Sequence, residues 1–340
     1  MRNLAIAIMI LFSGAVSADS LIPEIKLGTD ATLKISGWGQ IVAAEEMYGG
    51  LETDLAGLRI NADLNWNDWE FFTQVNLTTD GEEIDSDWLY QAWVGHNISE
   101  HWKLRVGRIF VSGGNITPCA YDIRTVKYPA GITFCPYATG AQFEGLLLKG
   151  LTLITEVTGK SGVAFNADDT FERAEFGLML KQEFGESGKP GYGYLAGYGQ
   201  LCKDFQRYGA EGFWQPISRL TLMGALCYTK YEYDQTSDEI GGYALVAYRL
   251  LPWFELHGQI DRFECLEKTW GDVESSKDET GKVNIDYVEY CSDETELTTL
   301  TIGAKLMEPT DAFSVTVDWE KPIGDDSEED RFLLKAQVKF

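Results

Sequence analysis

The chain has 340 residues, a formal net charge of -25, 44% hydrophobic residues and 35 glycines. Past the first 18 residues no stretch of about 18 apolar residues remains, which excludes a helical membrane protein, and the acidic balance opposes a nucleic-acid role. The length would serve one or two ordinary domains, but no linker, low-complexity tract or sustained 3.6-residue apolar period divides it.

Residues 1 to 18, "MRNLAIAIMILFSGAVSA", read as a secretory signal peptide. Arg2 supplies the positive start, Leu4 to Phe12 the apolar core, and Val16-Ser17-Ala18 the small-residue cleavage site. The core is too short to span a bilayer. The mature protein is expected to start near Asp19 and to form one unit over residues 19–340, with a net charge of -26 once Arg2 is gone.

From there on the recurring signal is strict alternation, the period of a half-buried strand. In "LAGLRINADLNW" (55–66), Ala56, Leu58, Ile60, Ala62, Leu64 and Trp66 share one face, opposite Gly57, Arg59, Asn61, Asp63 and Asn65. After the turn "NDW", the run "WEFFTQVNL" resumes with Trp69, Phe71, Val75 and Leu77 against Glu70, Gln74 and Asn76. "RAEFGLMLKQEF" and "WFELHGQID" follow the same rule with small exceptions, whereas 191–203 and 240–250 carry apolar residues on both phases and leave the faces open. "AFSVTVDWE" sets Phe313, Val315, Val317 and Trp319 opposite Ser314, Thr316, Asp318 and Glu320. In the closing "RFLLKAQVKF", Phe332, Leu334, Ala336, Val338 and Phe340 oppose Arg331, Lys335, Gln337 and Lys339, and only Leu333 breaks the pattern.

About sixteen such runs, centred near residues 37, 60, 74, 92, 106, 143, 155, 178, 197, 210, 225, 245, 258, 301, 316 and 335, match the length of tilted membrane strands. Their connections alternate between short turns ("NDW", "KGL", "LLPW", "EPTD") and longer, often acidic loops ("DGEEIDSD", "GDDSEED"). That alternation predicts an all-β fold, a transmembrane antiparallel β-barrel of the bacterial outer membrane. Trp66, Trp69, Trp88, Trp102, Trp253 and Trp319, near strand ends, would form its interfacial girdles. The last strand would close on the first, "ATLKISGWGQIVA", and abolish the edge. The terminal Phe340 is the aromatic end that barrel-assembly machinery would read.

Six cysteines in an exported chain predict disulfides. Cys119 and Cys135 bracket much of a long loop, and Cys265 and Cys291 flank another, which makes each a candidate pair. Cys202 and Cys227 lie on strands separated by a third and are the weakest candidates. No CxxC spacing points to zinc, and no cofactor motif is present. Of three histidines, His96 and His101 sit at a predicted turn and His257 faces inward beside Glu255 and Asp261; without a nucleophile signature they do not read as an enzyme site. The acidic run Asp325, Asp326, Glu328, Glu329 and Asp330 reads as a solvated loop, with divalent cations bridging it to lipopolysaccharide phosphates as the alternative.

The segments "LRINADLNWN", "WEFFTQVNL", "DWLYQAWVGHNISEHWKLRVGRIF" and "YATGAQFEG", spread over residues 31 to 145, resemble the phosphate-selective porins O and P. "LRVGRIF" is similar to the family's Gly, polar residue and Phe before a long third loop, while the second half matches only in barrel rhythm. The resemblance implies a 16-stranded, commonly trimeric channel for small hydrophilic solutes or ions, narrowed by an inward-folded third loop. Residues 111 to 136 are the candidate for that loop. Alternation turns Arg59, Lys103 and Arg105 inward, and the loop adds Arg124 and Lys127 against Asp122, a locally basic constriction expected to prefer anions. Ordinary lumen charges paired with Asp63 or Glu70 are the competing reading, and the family's rich arginine and lysine ladder is missing. A structural or adhesive barrel presenting acidic loops is the other functional class the pattern allows.

Overall fold

In the computed structural model the described residues are 24–46, 51–76, 89–111, 137–159, 174–203, 205–231, 238–265, 296–308, 312–323 and 330–339. A two-residue piece, β1 (Ile25–Lys26), precedes the barrel strands. The first half contains β2 (Ala31–Glu46), β3 (Leu51–Trp66), β4 (Trp69–Asn76), β5 (Leu89–Ser99), β6 (Trp102–Phe110), β7 (Tyr137–Leu148), β8 (Leu151–Thr158) and β9 (Glu175–Phe184). The second half contains β10 (Tyr192–Leu201), β11 (Phe205–Ile217), β12 (Leu220–Tyr231), β13 (Glu239–Leu251), β14 (Phe254–Cys265), β15 (Glu296–Met307), β16 (Phe313–Ile323) and β17 (Arg331–Lys339).

Each strand from β2 onward pairs antiparallel with its sequence neighbour, and β17 pairs with β2 from Lys339 opposite Trp38 to Arg331 opposite Glu46. The sixteen strands β2 to β17 therefore form a closed ring. Closure matters because an unpaired backbone group in hydrocarbon costs several kcal/mol, and a ring leaves no edge to supply one.

The two phases of each strand meet opposite environments. Leu195, Leu226, Val246, Ile260, Ile302 and Phe332 are between 47% and 65% exposed, whereas Thr316, Asp318, Lys335, Glu255 and Gln259 are 4% exposed or less. Exposed aliphatic and buried polar side chains invert the soluble pattern, and a lipid-bathed outer face with an inner polar face accounts for both. In β17 the inward set is Arg331, Leu333, Lys335 and Gln337, so the one irregular residue of the closing segment, Leu333, is an inner-wall residue buried to 1%. Phe340 lies outside the described residues.

Tight turns gather at one rim. Asn67, the only non-glycine among the described residues with positive φ (50°), closes the β3–β4 turn, where asparagine tolerates the left-handed region better than most residues. Trp66 and Trp69 face each other across that turn and are 51% and 43% exposed, and Trp253 stands at the β13–β14 turn at 51%. With half-buried Trp102 at the β5–β6 turn, they form an aromatic band at this rim. Trp319 instead donates to Asp330 (3.2 Å) near the opposite rim, and Trp88 is outside the described residues.

Candidate functional site

The inner wall is the site, and three stretches of it differ in chemistry. Along β2 to β7, cations lie against aromatic rings and acids. The Arg59 guanidinium sits 4.4 Å from the Tyr90 ring centre and 5.0 Å from that of Trp38, and donates to the Tyr137 hydroxyl at 3.3 Å. Nearer the tight-turn rim, Trp93 stacks on Phe72 at 5.4 Å, with Lys103 and Arg105 at 5.4 and 5.2 Å from its ring. Lys103 is ion-paired with Glu70, and Arg105 with Glu144 at 2.8 Å, while Arg105 also donates to Gln142 at 2.7 Å. The register explains Arg105's partners, with Gln142 directly opposite it on β7 and Glu144 one inward position along. Lys103 reaches Glu70 two strands away, past Gly95, which lies opposite Glu70 and has no side chain in the way.

Along β14 to β17 the wall is polar and deeply shielded. His257 Nε2 lies 2.7 Å from Asp318 Oδ1, and neither side chain is exposed. These residues occupy alternate strands with Gly303 between them in register, and they meet across the space its missing side chain leaves. Lys305 and Lys335, both buried, flank Thr316 in the next row.

The third stretch, β8 to β13, is apolar. Met179, Ala196, Tyr198, Ala225, Cys227, Tyr243, Leu245 and Ala247 form one cluster, joined by Ile154, Tyr194 and Met223, all on the inward phase. Polar relief comes from Arg207, which donates to Thr229 (3.1 Å) and Gln200 (3.3 Å), while Gln200 donates to Glu175 (2.7 Å).

Among the sequence-predicted positions, Arg59, Lys103 and Arg105 occupy the inner face, but Lys103 and Arg105 are neutralised by neighbours. Asp122, Arg124, Lys127, Cys119, Cys135 and Cys291 lie outside the described residues, as does the Cys265 side chain. No disulfide joins Cys202 to Cys227. The inward orientation of His257 was legible from alternation, but its Asp318 contact was not, because it depends on the register of three consecutive strands, which alternation leaves open. The apolar third of the wall was also missed: segments 191–203 and 240–250 looked ambiguous because their inner face is apolar too.

No protein-family model matches the sequence, and no curated protein matches it closely enough to count as a relative. Solved structures do match over nearly the whole chain. OmpF of Salmonella typhi aligns with a TM-score of 0.61 and 12% identity, covering 94% of this chain and 100% of its own. The outer-membrane-expressed OmpT of Vibrio cholerae aligns at 0.61 and 9% over 94% and 100%, and the outer membrane channel DcaP of Acinetobacter baumannii at 0.59 and 12% over 93% and 99%. At such identities the likeness concerns the backbone, and with the apolar exterior it leads to one conclusion: the chain has the closed sixteen-strand β-barrel fold of Gram-negative outer-membrane proteins.

Proposed function

We infer that the chain is an outer-membrane channel for passive diffusion of small hydrophilic solutes or ions. The observation that carries this reading is the opposition of faces: aliphatic side chains outside, and charged and hydroxyl side chains on most of the ring inside. A water-filled passage needs a wall that can hydrogen-bond to what passes, and a lipid-facing surface needs none. Structural likeness to an outer membrane channel and to OmpF supports the reading at the level of fold.

Within it, the signal peptide at 1–18, an inward-folded loop at 111–136 and a homo-trimer are parts of the proposal. A kinship with phosphate-selective porins rests on residues 31 to 145 alone. Anion preference has little to draw on in the described wall, where Glu70 and Glu144 offset Lys103 and Arg105, and would rest on Arg124 and Lys127. General diffusion is the reading the wall supports best.

Refolded protein in planar bilayers tests it. Stepwise ohmic conductance is expected, and a salt gradient reports ion preference through the reversal potential. A barrel that inserts and stays silent would instead serve as a platform for its acidic loops.

A further inference from the structure

Glu211 is the anomaly of the apolar wall. It points inward from the middle of β11, is 8% exposed, and its Oε2 has no hydrogen-bond partner. Among the described residues no hydrogen bond or ion pair reaches it. Directly beside it in register stand Ala196 on β10 and Ala225 on β12, too small to cover it. Beyond them come aromatic rings. Tyr194 and Tyr198 lie two positions either side of Ala196, Tyr243 lies across Ala225, and Phe213, two residues on along β11, stacks on Tyr194 at 5.9 Å. Tyr198 reaches over Gly209, two residues before Glu211, where a side chain would collide with the ring.

A buried carboxylate without a partner is expensive, and its cost is relieved by a cation brought to it. The cation in the same row, Lys181, attracts Glu211 through space across Ala196, but its direct contacts are elsewhere: its ammonium pairs with Glu183 at 2.7 Å and lies 4.6 Å from the Tyr194 ring centre. The wall thus already seats one ammonium on a tyrosine face and leaves the carboxylate next to it open.

We propose that Glu211, with Tyr194, Tyr198 and Tyr243, is a lumenal binding site for organic monocations, an ammonium group carried on an apolar or aromatic body. The carboxylate accepts from the ammonium, ring faces attract the charge, and the surrounding Met, Leu and Ala side chains take the apolar body. The net charge of -25 favours the same solutes by raising cation concentration at the channel mouth. This deepens the channel reading by naming a solute class, yet the site itself does not depend on conduction.

The test is binding of phenethylammonium to the refolded barrel in nonionic detergent, followed by intrinsic fluorescence or calorimetry, with neutral 2-phenylethanol as the control ligand. Wild type should bind the cation and discriminate against the alcohol. Glu211→Gln should weaken cation binding by about tenfold or more, in line with the loss of a desolvated charge partner. Glu239→Gln, on the same wall but already accepting from Tyr231 at 3.1 Å, should leave it unchanged. Equal affinity in wild type and Glu211→Gln, or equal losses in both variants, would overturn the site. Retained heat-modifiable mobility on SDS gels guards against misfolded variants. Conductance without binding would defeat this proposal alone, and binding without conductance would defeat the channel alone.

Discussion

His257 and Asp318 touch at 2.7 Å inside the barrel although β15 runs between their strands, because the residue of β15 that separates them is Gly303. A Cβ at position 303 would overlap both partners and the β16 backbone at Val317. Gly303→Ala should therefore separate the pair and cost two buried side chains their shared hydrogen bond, a loss of roughly 1–3 kcal/mol. The expected readout is a lower temperature at which the folded band on SDS gels converts to the unfolded one. An unchanged transition would mean the pair contributes nothing to barrel stability.

Ile302 and Thr301 are consecutive residues that face opposite solvents, 52% and 3% exposed respectively. If Ile302 faces lipid, Ile302→Arg should reduce folding into bilayers by about 2–4 kcal/mol near the midplane. In a water-soluble barrel the same change would be nearly neutral, since an exposed arginine costs little there. Comparing urea midpoints in lipid vesicles separates the two, and equal midpoints would defeat the membrane assignment.

The barrel was legible in the sequence because it rests on a short-range code. Period-two alternation in segments such as 55–66 and 313–320 placed the strands, and alternating loop lengths ordered them. The same rule turns Arg59 and Arg105 inward, where Arg59 meets Tyr137 and Arg105 meets Glu144. The register between neighbouring strands was not readable. Glu144 lies 39 positions from Arg105, Asp318 lies 61 from His257, and register fixes both contacts. The apolar wall was obscured for another reason: where Tyr194, Ala196 and Tyr198 point inward against outward Leu195 and Leu201, hydrophobicity no longer distinguishes the faces.

Disulfide formation should be confined to the long connections. Peptide mapping of protein isolated under oxidising conditions is expected to link Cys119 to Cys135 and Cys265 to Cys291. Cys227, a buried thiol in the inner wall, should be recovered free after denaturation in alkylating agent. Recovery of the first four as thiols would remove the staples from the picture.

The last prediction concerns sign. Arg105 and Glu144 cancel at 2.8 Å on the wall, half-buried, so neither contributes a net field to a passing ion. Removing one releases the other. Glu144→Gln should move the reversal potential toward anions, and Arg105→Gln toward cations, because a fixed charge in a narrow, poorly hydrated passage acts more strongly than loop acids screened over a Debye length of about 8 Å at physiological salt. Arg105 also bonds Gln142, which holds the guanidinium in place when Glu144 is neutralised and keeps the freed charge on the wall. The two variants should thus shift in opposite directions from wild type. Shifts of the same sign, or none in either, would mean that ions pass along another part of the wall, and the Glu211 side of the barrel would become the stretch that sets selectivity.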